Sequence, residues 1–181
     1  MFQHRRINSE VTFFQKLKDL DYILLISILL LSAISLFVMY STDGGQILYH
    51  TKSHFVKLIV FFFMMLVIAF INIKLWHMSA YLFYLIIVLL LIWVSFFGIS
   101  VSGSQRWMDL YLIALQPSEL MKIAIILCLA KYYHRLKVDN VNNFTNILIS
   151  LIIIIIPMIL VLSQPDLGTS ILIALSGLSV L

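Results

Sequence analysis

The feature that most constrains this chain is a succession of six long apolar blocks. They run at Tyr22–Tyr40, Phe55–Ile71, Met78–Phe97, Leu120–Tyr133, Ile147–Leu162 and Gly168–Leu181. A helix needs about 20 predominantly apolar residues to cross the hydrocarbon core. The first three blocks meet that length, the fourth does once its Pro117–Glu119 start is included, and the fifth carries the unbroken run Ile152–Ile156. The sixth stops at Leu181 with no flanking charge, which reads as a truncation. With 62% hydrophobic and 11% charged residues, and a mean hydropathy of +1.08, the composition excludes a water-soluble domain. The expected fold is therefore an all-α polytopic membrane protein of five transmembrane helices plus an incomplete sixth.

The net charge of +4 follows membrane topology and gives no reason to expect nucleic acid as a partner. Arg5, Arg6, Lys16 and Lys18 precede the first block, and Lys131, Arg135 and Lys137 separate the fourth from the fifth. The loop between the first two blocks carries Lys52, and the long loop before the fourth carries only Arg106. The positive-inside rule then places the N-terminus in the cytoplasm. The charged lead is long and no small-residue cleavage site follows the first block, so the start reads as a signal anchor. Cys128, the sole cysteine, allows no intrachain disulfide.

The chain reads as one domain, 1–181, with a cytoplasmic lead at 1–20 and an outer loop at 98–117. Val11, Phe14, Leu17 and Leu20 recur every three residues among Lys16, Lys18 and Asp19. That pattern fits an interfacial amphipathic helix or an ordinary helical lead. Asp43-Gly44-Gly45 reads as a tight outer turn, and Val138–Asn146 as a polar link without chemistry.

Two strings carry the polar content of the apolar region: Gln116-Pro117-Ser118-Glu119 and Gln164-Pro165-Asp166-Leu167-Gly168-Thr169-Ser170. Each sets a Gln-Pro step and an acidic residue at the head of an apolar helix. In the first, Pro117 suits the first helical position, and Glu119 falls in the first turn, where the helix dipole favours an anion. Lys122 follows on the same face at i+3. A charge at the centre of a membrane helix costs about 2.5–3.5 kcal/mol, and a shallow pair costs much less. Glu119 and Lys122 are thus either a structural ion pair or the lining of a polar cavity. In the second string Pro165 breaks the preceding helix, and Asp166 is placed to cap the next, with Thr169 three residues on. Gly168 would permit close approach of a neighbouring helix. Asp166 is either this cap alone or also a contact to a head group or polar partner.

Trp107 and Tyr111 in the outer loop are ordinary interfacial anchors. Arg106 opposes the charge bias there, which an anionic partner such as Asp109 or a ligand phosphate would explain. His50 and His54 stand at i and i+4, but no third metal ligand is near them in sequence, and no metal site is expected. No phosphate-binding glycine loop, nucleophile elbow or His-Glu-x-x-His motif occurs. Lys57 can snorkel to the surface.

Taken together, Arg106-Trp107, Gln116-Pro117-Ser118-Glu119 with Lys122, and Gln164-Pro165-Asp166-Leu167-Gly168-Thr169-Ser170 resemble the SEDS family (shape, elongation, division and sporulation), nearer its RodA branch than its FtsW branch. The likeness extends over nearly the whole chain. It implies a multi-pass protein of the bacterial cytoplasmic membrane, a peptidoglycan glycosyltransferase that polymerises lipid II during cell elongation. It further implies a class B penicillin-binding protein and the rest of the elongation machinery as partners. Glu119 and Lys122 correspond to the family's polar pair in the fourth span, and Arg106 and Asp166 to residues near its outer cavity. Tyr111 and Leu115 stand where the family often has Gly and Phe.

Family members have about ten spans, and their catalytic aspartate lies in a large outer loop of the second half. No residue here corresponds to it. The expectation is an N-terminal part that is inactive alone, with no catalytic residue and no bound cofactor. In the full-length family a carboxylate would act as general base on the acceptor hydroxyl, and Arg, Lys or a divalent cation would stabilise the departing diphosphate. A lipid II flippase and a non-catalytic scaffold for the penicillin-binding protein are the alternatives.

Overall fold

A computed structural model of the chain describes residues 17, 18, 20–101, 104–109 and 114–181. Most of the lead, with Val11 and Phe14, and the loop positions Gly103 and Tyr111 lie outside the described residues. The chain divides into two compact units, Met1–Ile71 and Asn72–Leu181.

In the first unit, α1 (Tyr22–Thr42) and α2 (Tyr49–Phe70) are joined by a short polar connection. Asp21 starts α1, its Oδ1 accepting from the amides of Ile23 and Leu24. The end of α1 is a Schellman closure: Gly44 N–H donates to Ser41 O, and Gly45 N–H donates to Tyr40 O. Gly44 adopts φ +73°, which a residue with a Cβ takes up only at a cost. Leu48, at the start of α2, has no side-chain acceptor. Asp43 supplies one from the turn, its Oδ2 accepting from Thr51 N at 2.9 Å and Thr51 Oγ1 at 2.6 Å. These Thr51 bonds hold the Asp43 carboxyl below its ordinary range. Ser35 Oγ and His54 Nε2, 2.6 Å apart, tie the two helices together, so His54 is engaged in a helix–helix bond.

The second unit contains α3 (Ile73–Phe97), a small sheet, α4 (Pro117–Arg135), a 3-10 turn (Val138–Asn140), α5 (Phe144–Leu162) and α6 (Leu167–Leu178). The sheet runs antiparallel in the order β1 (Ile99–Val101), β2 (Ser104–Asp109), β3 (Ala114–Leu115). Ile87 and Leu91 from α3 meet Met121, Ala124, Ile125 and Leu129 from α4. Ile154 and Val161 from α5 and Ile173 from α6 complete this core. The three- and four-residue spacing along α3 and α4 puts these side chains on one helix face. Lipid tails are as apolar as this core, so close packing rather than exclusion of water holds the helices together. Gly177 shows how close: a Cβ there would lie 2.5 Å from Ile154 Cγ1.

Pro157 stands inside α5, fully buried. It cannot donate the ladder bond to the carbonyl of Ile153, four residues back. In hydrocarbon an unsatisfied carbonyl costs several kcal/mol, on the order of the desolvation of one peptide group. The Tyr84 hydroxyl of α3 fills the gap, donating to Ile153 O at 2.9 Å. A proline defect in one helix thereby becomes a hydrogen bond between two.

This architecture corrects the expected one. Among the described residues four helices, α1, α2, α3 and α5, are long and apolar enough to cross a membrane, in place of five and an incomplete sixth. In α4 the extension back to Pro117 that supplies length also brings in Glu119, the helix already carries Lys122, Lys131 and Arg135, and its apolar content falls short. With 12 residues, α6 spans about 18 Å at 1.5 Å per residue, short of a hydrocarbon core of about 30 Å. The sheet also makes the fold something other than all-α. α3 starts five residues before its apolar block, where the Asn72 side chain accepts from Lys74 N as its cap. Asn146, read as loop, lies in the first turn of α5, where its Oδ1 accepts from Tyr132 OH and its Nδ2 donates to Asn140 O.

Candidate functional site

The two Gln-Pro strings and Arg106 converge on one carboxylate. Asp166 begins α6 as its N-cap, Oδ1 accepting from Thr169 N at 3.2 Å. Its Oδ2 accepts from Thr169 Oγ1 at 2.8 Å and from Gln116 Nε2 at 3.1 Å. Arg106 Nη1 completes the set, 3.0 Å from the same oxygen. One side chain so joins β2, the start of α4 and the start of α6. Pro117 takes the first helical position of α4, and Gln116 before it makes no capping bond of its own, since its amide is spent on Asp166.

Burial pushes the Asp166 carboxyl up, and the two Thr169 bonds together with Arg106 outweigh it, so its proton affinity falls below the ordinary value. A carboxylate with depressed basicity and four donors on its two oxygens is a poor proton acceptor. It acts as an anchor.

Gln164 works on a different partner. Its Nε2 donates to Leu91 O and to Ser95 Oγ, both at 3.0 Å, pinning the turn before α6 to α3. Gln164 is buried at 3% exposure, so these bonds spare an amide that the membrane would penalise. Gly168 does not mediate the expected close approach: a Cβ there would meet nothing nearer than Asp166 Oδ1 at 4.0 Å.

Glu119 and Lys122 lie apart from this anchor and pair with each other at 2.8 Å. The Glu119 side chain is 55% exposed, so the pair faces outward from the packed helices. Around the anchor three buried polar atoms are without a hydrogen-bond partner among the described residues: Arg106 Nε, Trp107 Nε1 and Ser118 Oγ. They are polar atoms that no described residue engages. No cluster of three or more His, Cys, Asp or Glu side chains suited to a metal occurs among the described residues.

Sequence reading places each of these residues at a helix start or in the loop, but the pairing of Arg106 and Gln116 with Asp166 spans separations that no local pattern reports. Ser95, Tyr84 and Pro157 go unnoticed in sequence. Pro157 carries a usable signal, a proline inside a run of isoleucine.

A family profile described as cell cycle protein, covering FtsW, RodA and SpoVE, matches residues 19–181. Peptidoglycan glycosyltransferase MrdB of Escherichia coli K12 is 38% identical over 170 residues, which cover 94% of this chain and 45% of that protein. Probable peptidoglycan glycosyltransferase FtsW of Buchnera aphidicola (subsp. Baizongia pistaciae) is 35% identical over 159 residues, covering 88% and 42%. The chain thus spans less than half the length of these relatives. In fold it is similar to the rod shape determining protein RodA of Thermus thermophilus, with a TM-score of 0.75 at 22% identity over 86% of this chain and 50% of that one. A chain of a peptidoglycan synthase complex that coordinates polymerization and crosslinking gives 0.74 at 22% identity, over 86% and 45%.

Proposed function

Since the chain belongs to the SEDS family of RodA, FtsW and SpoVE proteins, we propose that it builds part of the substrate cavity of a peptidoglycan glycosyltransferase in the bacterial cytoplasmic membrane. The substrate is lipid II, a polyprenyl diphosphate carrying the sugar unit to be polymerised. The end of the second unit that bears the sheet faces outward, where the glycan is made, and a class B penicillin-binding protein is the partner. Less than half of a relative's length is present, and none of these 181 residues is assigned as the general base.

The four donors gathered on Asp166 carry this reading. A general base must have a free lone pair and a proton affinity near the working pH. Asp166 meets these conditions poorly: Arg106, Gln116 and Thr169 all donate to Oδ2, the Thr169 amide donates to Oδ1, and its proton affinity is lowered. Its work is to fix the loop and two helix starts, so that Arg106 is held at the cavity. Nη1 of Arg106 holds Asp166, and its free Nε can donate to a phosphate oxygen as the diphosphate departs.

The test exchanges this chain for the matching stretch of Escherichia coli MrdB and assays lipid II polymerisation by the chimera and by the 181-residue chain alone. Polymer from the chimera and none from the chain alone is the expected result. Polymer from the chain alone, or a folded chimera that makes none, overturns the reading. Lipid II movement across vesicles without polymer would assign transport instead.

A further inference from the structure

At the end of the second unit opposite the sheet, α3 and α4 bring together basic groups that the proposed glycosyltransferase chemistry does not use. Lys131 is buried, at 6% exposure. Its Nζ donates to Met78 O at 2.7 Å and lies 4.6 Å from the centre of the Tyr81 ring. The Arg135 guanidinium, one turn on, sits 5.4 Å from the same ring. His134 meets His77 edge to face, ring centres 5.2 Å apart, and His77 Nε2 is a buried polar atom without a partner.

Two observations make this more than an ordinary basic helix end. Among the described residues no carboxylate is seen within ion-pair distance of Lys131 or Arg135. A ring face and a carbonyl hold Lys131 in place without neutralising it. The cluster also borders exposed apolar residues of α3: Met78 is 72% exposed and Leu82 61%. Positive charge held between helices and bordered by apolar side chains complements a phosphate that carries acyl chains.

We infer that the α3–α4 end around His77, Lys131, His134 and Arg135 seats the head group of an anionic phospholipid. Arg135 and His134, exposed at the last turn of α4, contact the phosphate. Lys131 supplies charge from beneath, and His77 Nε2 takes the remaining bond. The acyl chains lie along the exposed apolar side chains.

The experiment is native mass spectrometry of the full chain released from detergent containing equal amounts of phosphatidylglycerol and phosphatidylcholine. Wild type retains phosphatidylglycerol in excess. Arg135→Gln lowers that excess about fivefold, the effect of about one basic residue at an anionic surface. His77→Phe, which preserves the ring contact and removes both nitrogens, also lowers it, and Lys57→Gln on α2 leaves it unchanged. Circular dichroism establishes helicity for each variant, and Arg135, being exposed, can be replaced without touching the core. Equal retention of the two lipids by wild type overturns the inference. So does an unchanged excess in folded Arg135→Gln, or an equal loss in Lys57→Gln. Displacement of the lipid by inorganic phosphate, at an ionic strength where chloride has no effect, would assign a free-anion site and overturn it too. Each result is independent of glycan polymerisation.

Discussion

Replacing Tyr84 with phenylalanine removes one oxygen and leaves a specific carbonyl exposed to hydrocarbon. Pro157 cannot serve Ile153 O, so the Tyr84 hydroxyl at 2.9 Å supplies what the helix lacks. Interhelical side-chain hydrogen bonds in membranes contribute about 0.6 kcal/mol on average and about 1.7 kcal/mol at most. An acceptor deprived of its ladder donor belongs at the upper end, so Tyr84→Phe should cost about 1.5 kcal/mol. The second arm is Pro157→Ala, in which the new N–H can bond to Ile153 O. In that background Tyr84→Phe should cost about 0.5 kcal/mol or less, leaving an interaction energy near 1 kcal/mol in a double-mutant cycle. Reversible unfolding in mixed micelles, followed by helical circular dichroism, measures all four proteins. Equal costs of Tyr84→Phe in both backgrounds would refute the reasoning, because the phenol would then be stabilising something other than the proline gap.

Other predictions concern packing and acid. Gly177→Ala should destabilise by about 1–3 kcal/mol through overpacking, since its Cβ would fall 2.5 Å from Ile154 Cγ1, and trimming Ile154 to Ala should recover part of that loss. Gly168→Ala should be neutral or stabilising in the same unfolding assay, because no atom lies closer than 4.0 Å and alanine favours the helix. Asp43 and Asp166 both hold their protons less tightly in the folded chain than the ordinary value of 3.8. Their contribution is therefore complete at neutral pH, above the unfolded-state value, and disappears as pH falls through the lower folded-state values. An acid titration of stability should show a loss below about pH 4 that shrinks in Asp43→Asn and Asp166→Asn.

How much the sequence discloses depends on how far apart the partners lie. Pro117 at the first position of α4, Asp166 as the cap of α6 and the Glu119–Lys122 pair are all decided within one turn of helix, and spacing alone reveals them. Arg106 signals its need for an anion by opposing the charge bias, but only the fold identifies Asp166 as that anion. Gln116 shows the same limit, reaching across 50 positions. The number of spans fails for a different reason. Apolar blocks measure length, whereas α4 carries Glu119, Lys122, Lys131 and Arg135 through its length, and α6 ends after 12 residues. The sheet leaves little trace because its strands are short, β3 being only Ala114–Leu115. Lys131 reads in sequence as a topological marker, and its burial against Met78 O and Tyr81 appears only once α3 and α4 pack.

The central claim is that Asp166 anchors the cavity and takes no proton during catalysis. Asp166→Asn in the MrdB chimera tests it most directly, because asparagine still caps α6 and still accepts hydrogen bonds while losing the charge. Lipid II turnover is measured per folded molecule across pH, alongside unfolding. The account predicts lower stability, turnover within about tenfold of the parent and an unchanged pH profile, against the 100- to 10,000-fold loss on the order expected when a general base is removed. A folded Asp166→Asn chimera that loses turnover by that larger factor would contradict it.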